Sequence, residues 1–377
     1  MNLRRGVLLG VAAAILYWAV GPGYRDADSH FLFAQAFVDG RLYLTQSYPT
    51  LELVPRPGGG WFSPFPPLVS IVMVPFAAVG FAVTENEVAA AFGGLSVTLV
   101  WLLLGRLEVE DRARLALTAA WAFGSEVLWV AGDGGPWQSL QICGAALLLV
   151  ALTLGVSRPR APFAAGLSLG LAAAARLPIG LALPMLLYLY RRGGWRWVLA
   201  GVAIPAVVVA AYNVARFGDP LQFGYGLITN VNGVSVLTES WYPHGIESID
   251  YLGLGLYTML FHGPDLLGSF PWIAPGIAGV SIFLTMPVLW FLAEARGRLA
   301  FVAGVTTVVV MVPDLIHGNP GVAEVGYRFI VDALPLAWLM LGLAFRDGLS
   351  RSATIALAVG GVLNVYFAAV EWLGFNG

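Results

Sequence analysis

Residues 24–44 read YRDADSHFLFAQAFVDGRLYL and place Asp26, Asp28 and His30 together directly after an apolar run. Two carboxylates this close repel each other, which raises the pKa of one and fits it to act as a general base. Arg25 and the N-terminus of a following helix act in the opposite direction. The competing reading of Asp28 is a helix N-cap, a position where Asp is among the preferred residues. Spacing alone leaves both readings open.

The element that must position these groups is a helix over 28–39. Asp28, Gln35 and Asp39 fall at i, i+7 and i+11, one narrow polar stripe, while Phe31, Leu32, Phe33, Phe37 and Val38 cover the rest. Gly40 is suited to end it. Such a helix is expected to lie along a membrane.

Composition supplies the membrane. The 377 residues are 58% hydrophobic and 11% charged, against about a quarter charged in soluble domains. Long continuous apolar runs exclude a β-barrel, whose strands are short and alternating. The chain is therefore expected to be all-α and polytopic. A net charge of -2 gives no hint of nucleic acid, and the single cysteine, Cys143, excludes a disulfide framework. Candidate spans are 6–21, 87–105, 115–131, 139–156, 162–175, 178–190, 197–214, 272–292, 299–313, 331–345 and 352–372, about eleven in all, several of them shorter than the roughly 20 residues a span needs. No A-x-A site follows the first, so it is expected to be an uncleaved helix and not a signal peptide. The run 68–83 starts at Pro66-Pro67 and is interrupted by Pro75.

All 20 basic residues are arginine. If 68–83 is re-entrant or surface-lying, 14 of them (Arg4, Arg5, Arg106, Arg112, Arg114, Arg158, Arg160, Arg191, Arg192, Arg196, Arg296, Arg298, Arg346 and Arg351) share one side. By the positive-inside rule that side is cytoplasmic, as is the N-terminus. A full crossing at 68–83 destroys the bias. The long loops 22–86, 214–271 and 314–330, with the short 132–138, then lie on the outer face of a bacterial inner membrane. The chain reads as one domain, 1–377, capped on that face by the three long loops.

The order of short patterns is informative. An Asp after the first span, a helix ending in GRLYL, then FSPFPPLVSIVMVPF, AAAARLPIGLALP (172–184), YNVARFGDPLQFGYG (212–226) and GYRFIVDALP (326–335) resemble the GT-C superfamily of membrane glycosyltransferases. The likeness is to the small bacterial members related to protein mannosyltransferases and aminoarabinose transferases. It implies transfer of a sugar from a polyprenyl-phosphate donor to a lipid, glycan or protein acceptor, usually with inversion. The family's first-loop Asp deprotonates the acceptor. That role falls on Asp28, with Asp26 the alternate.

Such a reaction needs cations on the leaving phosphate, and arginine holds phosphate by a planar fork. Arg328 in GYRF is the first candidate; the bland alternative is a snorkelling interface arginine. Arg216 is the second, against a helix-ending turn with Asp219 as partner. Arg176, before Pro178, must face protein or water. His30 is a further phosphate ligand or an ordinary interface histidine. Asp133 in AGDGGPWQ and Glu52 are candidate substrate contacts, Asp133 against an ordinary turn aspartate. Tyr327 and Tyr225 join them from the GYRF and FGYG motifs. No metal-ligand spacing occurs. The resemblance implies no obligatory metal, with a divalent cation held by Asp26, Asp28, Glu52 and Asp133 as the alternative. Trp61, Phe62, Phe65, Trp137, Trp241, Tyr242 and Trp272 fit an aromatic belt at the outer boundary.

The second reading is a transporter or flippase of a lipid-linked sugar or glycan. It predicts ionisable residues in mid-span and repeated halves. Mid-span positions here are nearly free of charge and no repeat is found, which favours the enzyme. A third reading, a degenerate transferase kept as a scaffold, sits poorly with the outer acids and arginines.

Overall fold

The computed structural model describes residues 3–21, 28–158, 160–229, 233–321 and 324–374. Arg25 and Asp26 lie outside these residues, so only Asp28 of the two acids is placed. In chain order the helices are α1 (Leu3–Val20), α2 (Ser29–Val38), α3 (Leu68–Ala78), α4 (Glu85–Arg106), α5 (Asp111–Phe123), α6 (Val127–Asp133), α7 (Pro136–Val156), α8 (Pro162–Ala175), α9 (Leu183–Leu189), α10 (Trp195–Phe217), α11 (Leu252–Phe261), α12 (Ile282–Thr285), α13 (Arg298–Leu315), α14 (Leu334–Ala344) and α15 (Arg351–Trp372). The only strands among the described residues are two short antiparallel pairs. They are β1 (Val54–Pro55) with β2 (Trp61–Phe62), and β3 (Asp265–Leu266) with β4 (Ile273–Ala274).

Six helices have the length and hydropathy of a membrane span: α1, α4, α7, α10, α13 and α15. A seventh forms if α5 and α6, bent by 45°, are one span. Besides the bent α5–α6 pair in 115–131, four of the eleven expected spans are short or broken. Region 162–175 is the 14-residue α8. Region 178–190 divides into a 3-10 turn, Leu177–Ala182, and α9, with Pro178 and Pro184 at their starts. Region 272–292 contains only α12 and a 3-10 stretch, Pro287–Glu294. Region 331–345 contributes the 11-residue α14. Proline lacks the N–H that an internal helical bond needs, and it drives the residue before it out of the helical region. Helix α3 has 11 residues, about 16 Å of rise against a core of about 30 Å. It is too short to cross and packs on α2.

Helices α4 and α7 form the centre, 67% and 78% buried along their spans, while α1 and α10 are 22% buried and leave apolar surface outward. Close approach of α1 to α4 rests on Gly10 and Gly94; a Cβ on either would collide with the other's carbonyl. Three of the large core side chains satisfy their polar tips. Trp121 and Trp338 meet edge to face at 5.3 Å. Their indoles donate to Ser96 Oγ at 2.8 Å and the Leu117 carbonyl at 3.0 Å. The Tyr17 hydroxyl donates to the Ala122 carbonyl at 2.9 Å.

The arginine-rich turns collect on one face. Arg5 and Arg114 sit over the Trp101 ring at 5.0 and 3.7 Å. Arg346 pairs with Glu108, and the Glu110 N–H donates to the Arg346 carbonyl at 2.9 Å. Arg160 stands 6.0 Å from the Tyr190 ring. The long loops are stitched together elsewhere by backbone bridges: Leu53 with Thr229, Glu247 with His317, and Val280 with Gly326.

Candidate active site

The buried centre of the loop-rich region is Arg176. Helix α8 ends just before it, and Arg176 adopts an extended backbone ahead of Pro178. Its side chain reaches Asp332 through Nε at 2.9 Å and Asp314 through Nη2 at 3.0 Å. All three are nearly inaccessible to water. A cation shared between two buried carboxylates holds only while both pairs are intact. This set ties the end of α8 to the end of α13 and to the 3-10 turn Arg328–Asp332. The Tyr327 hydroxyl donates to the Asp314 carbonyl at 3.1 Å, closing the same knot.

Arg328 opens that 3-10 turn. Its Nε lies 2.7 Å from Glu324 Oε1, and its side chain keeps 13% exposure. Among the described residues its two terminal nitrogens meet no protein acceptor, in contrast to Arg176 and Arg216. Arg216 is spent on structure. It donates to the Ser63 carbonyl and, at 2.8 Å, to Asn213 Oδ1, and it lies 3.9 Å from the Tyr212 ring. It thereby pins the FSPFPP loop to α10.

Glu52 is open to water and hydrogen-bonded by Trp137, and it is electrostatically linked to Arg328, Tyr225, Tyr242 and Glu239. Burial raises the Glu52 carboxyl, opposed by the Trp137 indole beside it and by Arg328, and reinforced by Glu239. Burial also pushes the Tyr225 hydroxyl up to about 12, against the pull of Arg176 and Arg216. His317 is lowered to about 4 by burial, with Arg176 and Arg328 adding to the effect. It is neutral at physiological pH, with Nε2 3.5 Å from the Tyr242 hydroxyl.

The sign of the Glu52 shift sets a test. A folded carboxyl pKa above the unfolded one means the folded state binds more protons over that interval, so stability falls as pH rises through the folded value. Glu52→Gln is therefore expected to match or exceed the wild-type Tm at about pH 8, with the difference shrinking toward about pH 4. Sugar transfer should fall in the same variant. Thermal melts across pH check this; a lower Tm at alkaline pH would mean that the carboxylate anchors the fold.

Asp28 occupies the N-cap position of α2 but makes no side-chain cap there. Its Oδ1 instead accepts the Glu85 N–H of α4 at 3.1 Å, while Glu85 Oε1 accepts the His30 N–H of α2 at 2.7 Å. Each helix start is thus capped by an acid of the other. Asp133, at the end of α6, flanks the same place: the Asn86 amide donates to the Gly132 carbonyl at 2.6 Å. Gly134, at φ +63, packs so tightly on Asn86 that no Cβ fits. Asp28 and Asp133 are half-buried beside the first turn of α4.

His30 does not reach the cleft. It is fully buried, with Nδ1 3.1 Å from Ser70 Oγ and Nε2 3.2 Å from the Pro136 carbonyl. A carbonyl only accepts, so Nε2 carries the proton and Nδ1 accepts from Ser70. Burial lowers its pKa to about 4. His30 begins a row of rings that joins the two regions. Phe65 lies 5.5 Å from His30, Trp137 4.7 Å from Phe65, and Tyr225 stacks on Trp137 at 5.5 Å. The acids at α4 and the arginine cleft are the two ends of this row.

The structure thus brings Glu52, Tyr225 and Arg328 together, with Arg176 and Arg216 behind them. It buries His30 and Tyr327 within the protein and sets Asp28 and Asp133 at the far end of the row. Gln35 and Asp39 of the polar stripe line a separate groove of about 490 Å³ with Arg41, Gln46 and Tyr48. There Arg41 is already neutralised by Asp39 at 2.6 Å. Sequence reasoning missed Asp314 and Asp332. Their signal is an acid at the edge of an apolar run, which requires a buried partner. Among the described residues no three His, Cys, Asp or Glu side chains gather as a metal site.

No curated protein matches the chain by sequence. The sequence profile of glycosyltransferase family 87 matches residues 62–313, well over half of the chain. The fold superposes on ArnT from Cupriavidus metallidurans bound to undecaprenyl phosphate, with a TM-score of 0.53 and 19% identity over 94% of this chain. The apo form of that protein gives 0.52 and 17%. The chain spans 62% of the ArnT length. With the fold and the profile in agreement, the chain belongs to glycosyltransferase family 87, within the GT-C superfamily of membrane glycosyltransferases.

Proposed function

We propose that the protein transfers a sugar from a polyprenyl-phosphate donor to an acceptor hydroxyl or phosphate, with inversion, on the loop-rich face of the membrane. The observation that carries this reading is Arg328, whose two terminal nitrogens meet no protein acceptor among the described residues and whose charge acts on the Glu52 carboxylate, as Glu52 in turn acts on Tyr225. The undecaprenyl phosphate held by ArnT, a protein of the same fold, supports a lipid-phosphate donor. The positive-inside rule places the arginine-rich face in the cytoplasm and the cleft outside it, in a bacterial inner membrane.

In this scheme a carboxylate, Asp28 with Asp26 as the alternate, takes the acceptor proton, which requires the bound substrates to bridge the row of rings between the acids at α4 and Arg328. The acceptor oxygen attacks the anomeric carbon from the side opposite the phosphate. The bond from that carbon to the phosphate oxygen breaks, and the lipid phosphate leaves with the electron pair. Arg328 meets the charge that grows there. Arg176 and Arg216 act behind it, one holding the 3-10 turn and the other the FSPFPP loop. Glu52 and Tyr225 contact sugar hydroxyls, and Trp137 offers a ring face. Asp133 is a second acid at the acceptor end. No obligatory metal is assigned; a divalent cation at Asp26, Asp28, Glu52 and Asp133 is the alternative.

The test is an assay of purified protein against a panel of polyprenyl-phosphate sugars. One donor should release lipid phosphate with sugar incorporation, and the rate should be unchanged in EDTA. Arg328→Gln should lower kcat/KM by about 10²–10³, the scale of losing one charge-stabilising donor. Transport of a lipid-linked sugar between leaflets without bond cleavage would replace this reading with a flippase.

A further inference from the structure

The segment between α11 and α12 is an apolar element that does not span. Residues 252–277 read LGLGLYTMLFHGPDLLGSFPWIAPGI, with Asp265 as the only charged side chain. Strands β3 and β4 fold this stretch into a hairpin after α11. Its large side chains face outward: Phe261 is 72% exposed, Leu266 84% and Trp272 63%, with Tyr257, Phe270 and Ile277 each above half. In a water-soluble loop this would be a severe apolar patch.

Two spans act as rulers for its depth. Helix α15 starts at Arg351 on the arginine-rich face, and the Tyr366 hydroxyl donates to the Pro271 carbonyl. Tyr366 is fifteen residues along α15, which is about 22 Å at 1.5 Å per residue. Helix α13 starts at Arg298 on the same face, and Gly255 of α11 sits against the Leu315 carbonyl at its far end. That is about 25 Å along α13. Against a hydrocarbon core of about 30 Å, both contacts fall several ångströms inside the boundary on the loop-rich side. The lone acid limits this depth: Asp265 is exposed on β3, so its carboxylate stands at the headgroup level while the apolar side chains around it reach below. Asp265 stands beside His262, both flanking Gly276, and His262 Nδ1 lies 2.6 Å from the Gly279 carbonyl.

We propose that α11 and the β3–β4 hairpin form a lip immersed in the leaflet on the loop-rich side, and that the partner of its exposed face is lipid hydrocarbon. The lip is tied to the cleft through the backbone. Just past it, the Val280 N–H donates to the Val325 carbonyl at 3.1 Å, and the Tyr327 N–H donates to the Val280 carbonyl at 3.1 Å. The residue after Tyr327 is Arg328. Seating the lip in the leaflet therefore fixes the height of Arg328 against the membrane plane. The inference requires only that α13 and α15 span, and it stands whatever reaction the cleft performs.

The test uses nitroxide labels on single added cysteines, Leu266→Cys and Phe270→Cys, in the full chain in lipid nanodiscs. Native Cys143 is fully buried, and the unmodified protein serves as the labelling blank. Ser240→Cys, on an exposed stretch of the loop-rich side, is the reference. Labels at 266 and 270 should relax several-fold more with oxygen than with a water-soluble nickel complex, and the label at 240 should show the reverse. Nickel access at 266 and 270 equal to that at 240 overturns the proposal. All three positions are surface sites, so folding is not at stake; size-exclusion profiles confirm it.

Discussion

Asp28→Asn is expected to lower sugar transfer by about 10²–10⁴, the range that a positioned general base contributes, while leaving Tm within about 1–2 °C of wild type. The amide oxygen of Asn can still accept the Glu85 N–H that Asp28 Oδ1 accepts at 3.1 Å. The cross-cap between α2 and α4 thus survives while the basicity is removed. Asp28→Ala should behave differently. It leaves the first N–H of α4 without that acceptor, at a cost of about 1 kcal/mol for a lost cap. A matched Asp26→Asn variant separates the two acids. Single-turnover transfer and thermal melts on the same preparations decide the matter. If Asp28→Asn transfers at the wild-type rate, Asp28 is only a helix cap, and Asp26 or Glu52 takes the proton.

Arg176→Met should cost about 3–5 kcal/mol of stability, the usual effect of removing one partner from a buried ion pair. Here two carboxylates lose their common cation. Asp314 is 4% exposed and Asp332 is 0%, so neither can recover hydration. A drop of this size should appear as a large fall in Tm in detergent. Adding Asp314→Asn and Asp332→Asn to Arg176→Met should restore part of it, because the uncompensated charges are gone. Transfer should fall even where the protein remains folded, since Arg328 and Asp332 begin and end one 3-10 turn. A Tm change of only about 1–2 °C would show that the three groups are solvated in the membrane, and the account of the Arg176 knot would be wrong.

The fold class was legible because a bilayer imposes its period on the sequence: α1, α4, α7, α10, α13 and α15 each appear as a long apolar run with arginine at one end. Helix α2 was legible from its single polar stripe, and the non-crossing α3 from the arginine count. The broken elements were not. Regions 272–292 and 331–345 have the composition of spans, but prolines and a hairpin interrupt them, and hydropathy does not register an interruption that keeps its side chains apolar.

The site divides in the same way. Residue types and pattern order by themselves singled out Asp28, Arg176, Arg216, Arg328 and Glu52, because a charge is costly beside lipid and needs a reason to be there. Only the tertiary structure assigned their partners. Arg176 was taken by Asp314 and Asp332, Arg216 by a loop carbonyl, and His30 by Ser70 and Pro136. Among the described residues Arg328 alone of the three arginines has no protein acceptor on either terminal nitrogen, and its charge acts on Glu52. Sequence distance carries no information on such pairings; those of Arg176 cross 138 and 156 positions. They are decided by which helix ends meet once the apolar faces have packed.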